Sequence, residues 1–194
     1  IYPTWTPAPP LAKNDNILIP SLENATVFLI KNKNDPRQEM QIGIHSIGEG
    51  DQIVVEQGPV SIILADGSNL FISPNTTFSF GSIESNRTLV LEKGALIVRL
   101  ASGELSIRTM DGIVTKVSGS IMGVDISKAP LKFVDCYEGH CTVTGSISAP
   151  INPMDGDYRH ILIDNQNPRT SDVFERCKFW NNALGADVLA SLGI

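Results

Sequence analysis

The chain has few of the residues from which catalytic and metal sites are usually built. Its 194 residues include three histidines and three cysteines, and aromatic residues make up only 6%. His45, His140 and His160 are widely separated, and none belongs to an HExxH pair or a comparable ligand spacing. A GxSxG nucleophile turn, a phosphate-binding loop and a dinucleotide fingerprint are all missing. We therefore predict a non-enzymatic protein with no metal, no cofactor and no small-molecule substrate.

Long apolar runs and clusters of basic residues are also missing. No run approaches the roughly 20 apolar residues that cross a bilayer, so we expect no membrane span in this segment. The net charge is −6 and the 15 Lys and Arg residues are scattered, which argues against binding to nucleic acid. With 42% hydrophobic and 19% charged residues, the composition is that of a folded globular chain.

Residues 1–20 hold five of the twelve prolines and predict an extended arm, not a helix. One interpretation is a linker that follows a leader peptide or a membrane anchor, since the numbering starts at Ile1 and not at Met. The other is an assembly arm that docks on a neighbouring subunit. Its anchors are then Trp5, Ile17, Leu18 and Ile19.

Residues 21–150 predict a β domain, because short runs of Val, Ile, Leu and Thr alternate with glycine turns. The segment that starts at Ile53 repeats at Leu89, 36 residues later, and each copy carries Glu-x-Gly between two apolar strands. A looser third copy surrounds Glu138. We expect each copy to be a hairpin plus a return strand, and the copies to stack because one alone cannot bury its apolar face.

The predicted fold class is all-β, either a solenoid-like stack, which the repeat favours, or a two-sheet domain. Residues 151–194 predict loops and then a short helix that packs on the β domain. Ser171 is a suitable N-cap, Gly185 is a suitable end, and residues 187–192 could add a last turn. The apolar stripe of this helix consists of Val173, Cys177, Trp180 and Leu184.

The cysteines give the most specific local hypothesis. Cys136 and Cys141 flank a four-residue turn and would face each other across a hairpin, so a disulfide between them is geometrically reasonable in an oxidising compartment. A second pairing joins Cys177 to either of them and ties the helix to the sheet. A zinc site of Cys136, His140, Cys141 and Cys177 ranks last, because the spacing is unusual for a ligand set.

Two kinds of surface site complete the prediction. Asn24, Asn75 and Asn86 begin N-x-Ser/Thr triplets, which are glycosylation acceptors only in an exported protein of a glycosylating host. The acidic pairs Asp155 with Asp157 and Glu49 with Asp51 suggest Ca²⁺ sites only weakly, since no full loop template is present.

Four stretches of the central half follow one another in a recognisable order. They are LADGSNLFISPNT from Leu64, LEKGALIV from Leu91, the section from Leu105 to Val124, and the strand from Phe133 to Val143. Together they resemble the FecR-like domain, named after a bacterial regulator of iron-citrate uptake, over about residues 52–144. Ser120 and Met122 depart from the family's usual threonine and aromatic residue but roughly keep size and polarity.

The resemblance implies an exported bacterial domain with one of two roles. In signalling members such a domain lies in the periplasm, receives a partner domain from an outer-membrane receptor, and controls a cytoplasmic sigma factor through a membrane-spanning segment. Other members are exported surface proteins with no assigned role. The composition and the arm favour an extracellular or cell-surface module that self-assembles into a filament or surface layer; the alternative is the periplasmic sensory domain. In both, the partner is a protein, either another copy or another surface protein.

Overall fold

The computed structural model describes residues 15–32, 34–82, 87–112, 114–144, 159–164, 167–170 and 172–194. The described residues form fifteen strands and two helices, and hydrogen bonds join all fifteen strands into one network whose ends stay apart, so it is not a closed barrel. The fold class is thus confirmed as mostly β with a short helical pair at the C-terminal end.

The strands are β1 (Asp15–Ile19), β2 (Thr26–Ile30), β3 (Gln38–Glu39), β4 (Gly43–Ile47), β5 (Gln52–Gln57), β6 (Val60–Leu64), β7 (Asn69–Ile72), β8 (Thr76–Ser82), β9 (Arg87–Lys93), β10 (Ala95–Arg99), β11 (Glu104–Thr109), β12 (Val114–Asp125), β13 (Lys132–Thr144), β14 (Arg159–Asp164) and β15 (Asn167–Thr170). The helices are α1 (Val173–Leu184) and α2 (Ala186–Leu192).

The strand order forms two layers around one apolar core. One layer runs β3-β2-β5-β8-β9-β11 and the other runs β4-β1-β6-β7-β10. The long strand β12 joins them, because its first half pairs with β11 and its second half with β10. β13 follows β12 through both halves, with register shifts between Ser118 and Met122 where the ladder passes from one layer to the other. Inward-facing side chains of both layers, such as Ile19 and Phe78, belong to one buried cluster.

Each Glu-x-Gly segment carries the chain from one layer to the other. The two strands that flank Gly58, β5 and β6, pair with different neighbours, and so do β9 and β10 on either side of Gly94. The predicted hairpin at these positions is therefore wrong. The sequence pattern did not distinguish the two cases, because an apolar strand, a glycine and a second apolar strand suit a hairpin and a crossing between layers equally well.

The structure contains a larger repeat than the sequence shows. β1, β2, β5 and β6 form one unit, in which β1 pairs with β6 and β2 with β5. β7, β8, β9 and β10 form a second unit with the same pairing, β7 with β10 and β8 with β9. The units lie side by side through the β5–β8 and β6–β7 pairs. In each unit the first strand leads to the second through an asparagine at φ 57°, Asn24 or Asn75.

The structure changes both ends of the predicted β domain. Residues 15–19 of the predicted arm form strand β1, which lies between β4 and β6. At the other end, residues 159–164 and 167–170, where loops were predicted, form strands β14 and β15 beyond β13. Both segments are short and show little periodicity, and pairing with neighbouring strands decides their conformation.

Candidate functional site

The helical pair begins at a side-chain cap and turns sharply at a glycine. Asp172 is the N-cap of α1, and its Oδ1 accepts a hydrogen bond from the backbone N–H of Glu175 at 2.9 Å. The predicted cap, Ser171, lies outside the described residues. Gly185 ends α1 at φ 93°, as predicted, and α2 follows directly where only a short turn was expected.

The helices cover the outer face of the layer that contains β10. Ala95 and Ile97 of β10 pack with Trp180 and Leu184 of α1, while Leu96 and Val98 face the main core. A strand buried on both faces explains why its sequence is continuously apolar and does not alternate. Trp180 lies over Gly123, where a Cβ would come within 2.6 Å of the Trp180 Cζ2 atom. The missing side chain at Gly123 thus gives the indole its space.

A buried ionic cluster lies at this helix–sheet junction, and we call it the Arg176 cluster. It consists of Asp125, Asp135, His160, Arg176 and Trp180. The Arg176 guanidinium donates to Asp135 through Nε at 3.1 Å and Nη2 at 2.8 Å, and to Asp125 through Nη1 at 2.9 Å. It also lies over the Phe133 ring, with its Cζ atom 4.0 Å from the ring centroid.

Asp135 is the centre of the Arg176 cluster and is fully buried. Besides the two bonds from Arg176, its Oδ2 accepts a hydrogen bond from Trp180 Nε1 at 2.6 Å, and its Oδ1 lies 2.7 Å from His160 Nδ1. The His160 ring is 1% exposed and meets the Tyr137 ring edge-on at 5.5 Å between centroids. Three side chains from α1 and β14 therefore converge on one carboxylate of β13.

The environment fixes the charges of this cluster. Burial alone raises the pKa of Asp135, but hydrogen bonds from His160 and Arg176 outweigh that effect and hold the pKa below its ordinary value. Burial likewise lowers the pKa of Arg176, and the contacts with Asp135 and Asp125 raise it above the usual value. For Tyr137, burial and then the Asp135 charge both raise the pKa. Arg176 is thus a buried guanidinium held between two buried carboxylates, Asp125 and Asp135.

The Arg176 cluster suits positioning better than chemistry. An Asp–His pair with a buried ring is the arrangement that orients a general base, yet here Arg176 donates to both carboxylate oxygens and Trp180 donates to Oδ2. His160 Nε2 is buried and forms no hydrogen bond with the described residues. What the arrangement does is fix α1 on β12, β13 and β14.

Sequence reasoning missed this cluster. The spacing of His160 was compared only with metal-ligand motifs, and Arg176 belonged to none of the predicted sites. One signal was available in the sequence. Asp125 and Asp135 each follow a valine within an apolar strand, and a carboxylate in that setting is buried only when it has a partner.

The structure contains a disulfide between Cys136 and Cys141, with their Cα atoms 6.0 Å apart, and Cys177 is free. The predicted hairpin between the two cysteines is absent, because both belong to the single strand β13. The intervening residues form an irregularity at which Glu138 pairs with Ile121 and Gly139 has φ 73°. The disulfide ties the two sides of this bulge together. Since its sulfurs bond each other, the zinc alternative fails.

We expect the disulfide to contribute about 2 kcal/mol to stability, because it closes a loop of only a few residues in the unfolded chain. Denaturant unfolding of the oxidised protein and of the Cys136→Ser, Cys141→Ser double variant measures this contribution. Cys177→Ser is the matched control, and its midpoint should stay close to that of the parent. Non-reducing peptide mapping should recover Cys177 as the free thiol; recovery of Cys136 as a thiol contradicts the pairing.

The other predicted site residues do not come together. Ile17 and Ile19 are buried in the chain's own core, whereas Leu18 points outwards and Trp5 lies outside the described residues. Asn24 and Asn75 are exposed at equivalent positions of the two four-strand units, and Asn86 lies outside the described residues. Asp51 binds Lys31 at 2.9 Å, and Asp155 and Asp157 lie outside the described residues.

Within the described ranges, no group of three or more His, Cys, Asp or Glu side chains has the geometry of a metal site. His45, predicted as a hydrogen-bonded strand residue, has its Nε2 2.7 Å from the carbonyl oxygen of Gln41. In the same part of the chain, no helix is long and apolar enough to cross a membrane.

The fold is similar to that of two crystal structures, each of a proposed anti-sigma factor from Parabacteroides distasonis. The first, solved at 1.65 Å, has a TM-score of 0.55 and 17% identity over 67% of this chain and 64% of that chain. The second, at 2.50 Å, has a TM-score of 0.55 and 18% identity over 66% and 63%. This chain thus spans just under two thirds of their length. No protein-family model matches it, and neither does any curated protein.

Proposed function

We propose that this chain is a non-enzymatic, protein-binding domain of an exported regulator of the FecR-like, anti-sigma type. The similarity of its fold to proposed anti-sigma factors, over two thirds of the chain, carries the proposal. The order of the four motif-like stretches in residues 52–144 supports the FecR-like assignment. The Cys136–Cys141 disulfide suits an exported domain, because such bonds persist in oxidising compartments.

The Arg176 cluster supports a role in binding over one in catalysis. Its carboxylate is saturated by Arg176, Trp180 and His160, so it offers no free group to a substrate. A cluster of this kind holds α1 and α2 in one position on the sheet. A regulator needs such a fixed surface, because a partner domain can bias signalling only through a defined set of contacts.

Self-assembly through the N-terminal arm has less support. Ile17 and Ile19, two of its four proposed anchors, are held in the chain's own core and are not accessible to a neighbour. An arm that acts between subunits has to do so through residues 1–14 and Leu18. We therefore place the sensory role first and the extracellular assembly role second, the reverse of the order that the sequence suggested.

The proposal is tested in the organism that encodes the chain. We expect an in-frame deletion of residues 52–144 to change transcription of the genes that depend on one sigma factor, because the domain would no longer report its partner. RNA sequencing of the deletion and parent strains measures this. As a matched control, the exposed substitution Met110→Lys should leave transcription unchanged. Unchanged transcription in the deletion strain, with the protein present in the parent, contradicts the regulatory role.

A further inference from the structure

Three of the five large apolar side chains that are exposed among the described residues lie together at one sheet edge. Leu18 of β1 and Ile44 of β4 are directly opposite each other in the antiparallel pair, and both point away from the core. Ile44 is 74% exposed, and Ile42, just before the strand, is 63% exposed. We call Leu18, Ile42 and Ile44 the β4 patch. Contiguous exposed apolar surface of this kind marks association sites.

The backbone beside the β4 patch is also free. β4 ends the strand order of its layer, so one of its edges has no neighbour in the described part of the chain. Lys31 donates to the Ser46 carbonyl at 2.6 Å and closes one end of this edge. The remaining free edge is centred on Ile44. Unpaired N–H and C=O groups next to apolar side chains are a template for pairing with another strand.

Two other edge strands of the described sheet, β3 and β15, are protected. β3 has only two residues, one of which is Glu39, and β15 contains Pro168, which has no N–H to donate. Short strands, charges and prolines are the usual means by which proteins prevent edge-to-edge association. β4 is five residues long and itself contains no charged residue and no proline. β4 differs in this from both β3 and β15, which indicates that its edge is covered in use.

We propose that the β4 patch is a dimer interface that pairs with the same patch of a second copy of this chain. Residues 41–48 contain no Asp, Glu, Lys or Arg, although the chain carries a net charge of −6. A charged partner would gain no ion pair there, whereas an uncharged apolar patch is complementary to itself. A two-fold axis beside β4 brings the two patches together and aligns the free edges for antiparallel pairing. This pairing joins the β4-containing layer of one copy and that of the other into one continuous sheet.

The interface is tested with the purified full chain by sedimentation velocity over a wide range of protein concentrations. We expect a monomer–dimer equilibrium for the parent, and about a tenfold or greater rise in the dimer dissociation constant for Ile44→Lys, because the interface would bury an unpaired charge. Met110→Lys is the matched control, since Met110 is 69% exposed at the turn between β11 and β12. It should dimerise like the parent.

A second variant is needed in case Ile44→Lys fails to fold. Ile42→Lys changes the patch outside the strand, and circular dichroism and melting curves check that both variants stay folded. A parent that remains monomeric at all concentrations overturns the proposal and leaves the patch to a different protein. Equal dimerisation of Ile44→Lys and Met110→Lys also overturns it. Sedimentation tests the dimer alone. The regulatory role is tested separately, by the transcription experiment in the organism, so either proposal can fail without the other.

Discussion

Asp135→Asn is expected to destabilise the protein by about 3 to 5 kcal/mol. The substitution keeps the shape of the side chain but removes its charge, and the amide offers one acceptor oxygen in place of two. Arg176, 3% exposed, then keeps only Asp125 as an anionic partner. Buried donors of Arg176 and Trp180 that now reach the carboxylate then face an amide, and hydrogen bonds to a charged group are worth about 1.5 to 3 kcal/mol each. Urea unfolding monitored by tryptophan fluorescence, which also reports on Trp180, measures the loss.

Asp111→Asn is the matched control for this prediction. Asp111 forms an ion pair with Lys132 at 2.5 Å, but its side chain is 51% exposed. Water and salt screen such a pair, so the same chemical change should cost less than about 1 kcal/mol. Equal losses for the two variants contradict the central role of Asp135.

The pH dependence of stability separates the charge of Asp135 from its packing. The pKa of Asp135 is lower in the folded protein than its ordinary value of 3.8, so its contribution is complete at neutral pH and is lost as the pH falls below that value. We expect the stability gap between the parent and Asp135→Asn to be constant above about pH 5 and to narrow on acidification. A gap that is independent of pH down to the acid transition would show that packing, not charge, causes it.

The sequence predicted the parts of the fold that local pattern determines. Alternating apolar residues located most strands of the β domain, and Gly185 located the end of α1. The cysteine spacing suggested the Cys136–Cys141 pair, although for the wrong geometry. A five-residue separation brings two cysteines together across a hairpin or across a bulge, and only the pairing of β13 with β12 distinguishes these cases.

What the sequence did not predict depends on contacts between distant residues. Arg176 meets Asp135 and Asp125, 41 and 51 residues away, and no local pattern encodes such a meeting. The β4 patch was equally hidden. Leu18 and Ile44 become neighbours only because β1 and β4 pair, and the alternation of β1 places Leu18 outside while Ile17 and Ile19 enter the core. Without that pairing, three consecutive apolar residues at 17–19 suggest an arm whose side chains all dock on a neighbour.

Gly94→Ala is expected to cost about 3 to 5 kcal/mol, from two effects at one position. Gly94 has φ 90°, a conformation that costs a residue with a Cβ about 1 to 2 kcal/mol. The added Cβ would also lie 2.2 Å from Thr76 Oγ1 and 2.6 Å from Thr76 Cα, which adds the cost of overpacking, about 1 to 3 kcal/mol. Thr76 Oγ1 accepts a hydrogen bond from the Ala95 N–H at 3.1 Å, so it cannot move away freely.

Gly103→Ala isolates the first of these effects. Gly103 has φ 75° and nothing within 4 Å of an added Cβ, so its substitution should cost only the backbone term of about 1 to 2 kcal/mol. Gly58→Ala should behave like Gly94→Ala, because its Cβ would lie 2.2 Å from the Asn24 carbonyl oxygen at the equivalent crossing of the first unit. Urea midpoints of the three variants test the order. If Gly94→Ala and Gly58→Ala lower the free energy of unfolding no more than Gly103→Ala does, the close contacts at these two glycines do not matter for stability. The Glu-x-Gly glycines would then be needed only for their backbone conformation, and not for the close crossings between the layers.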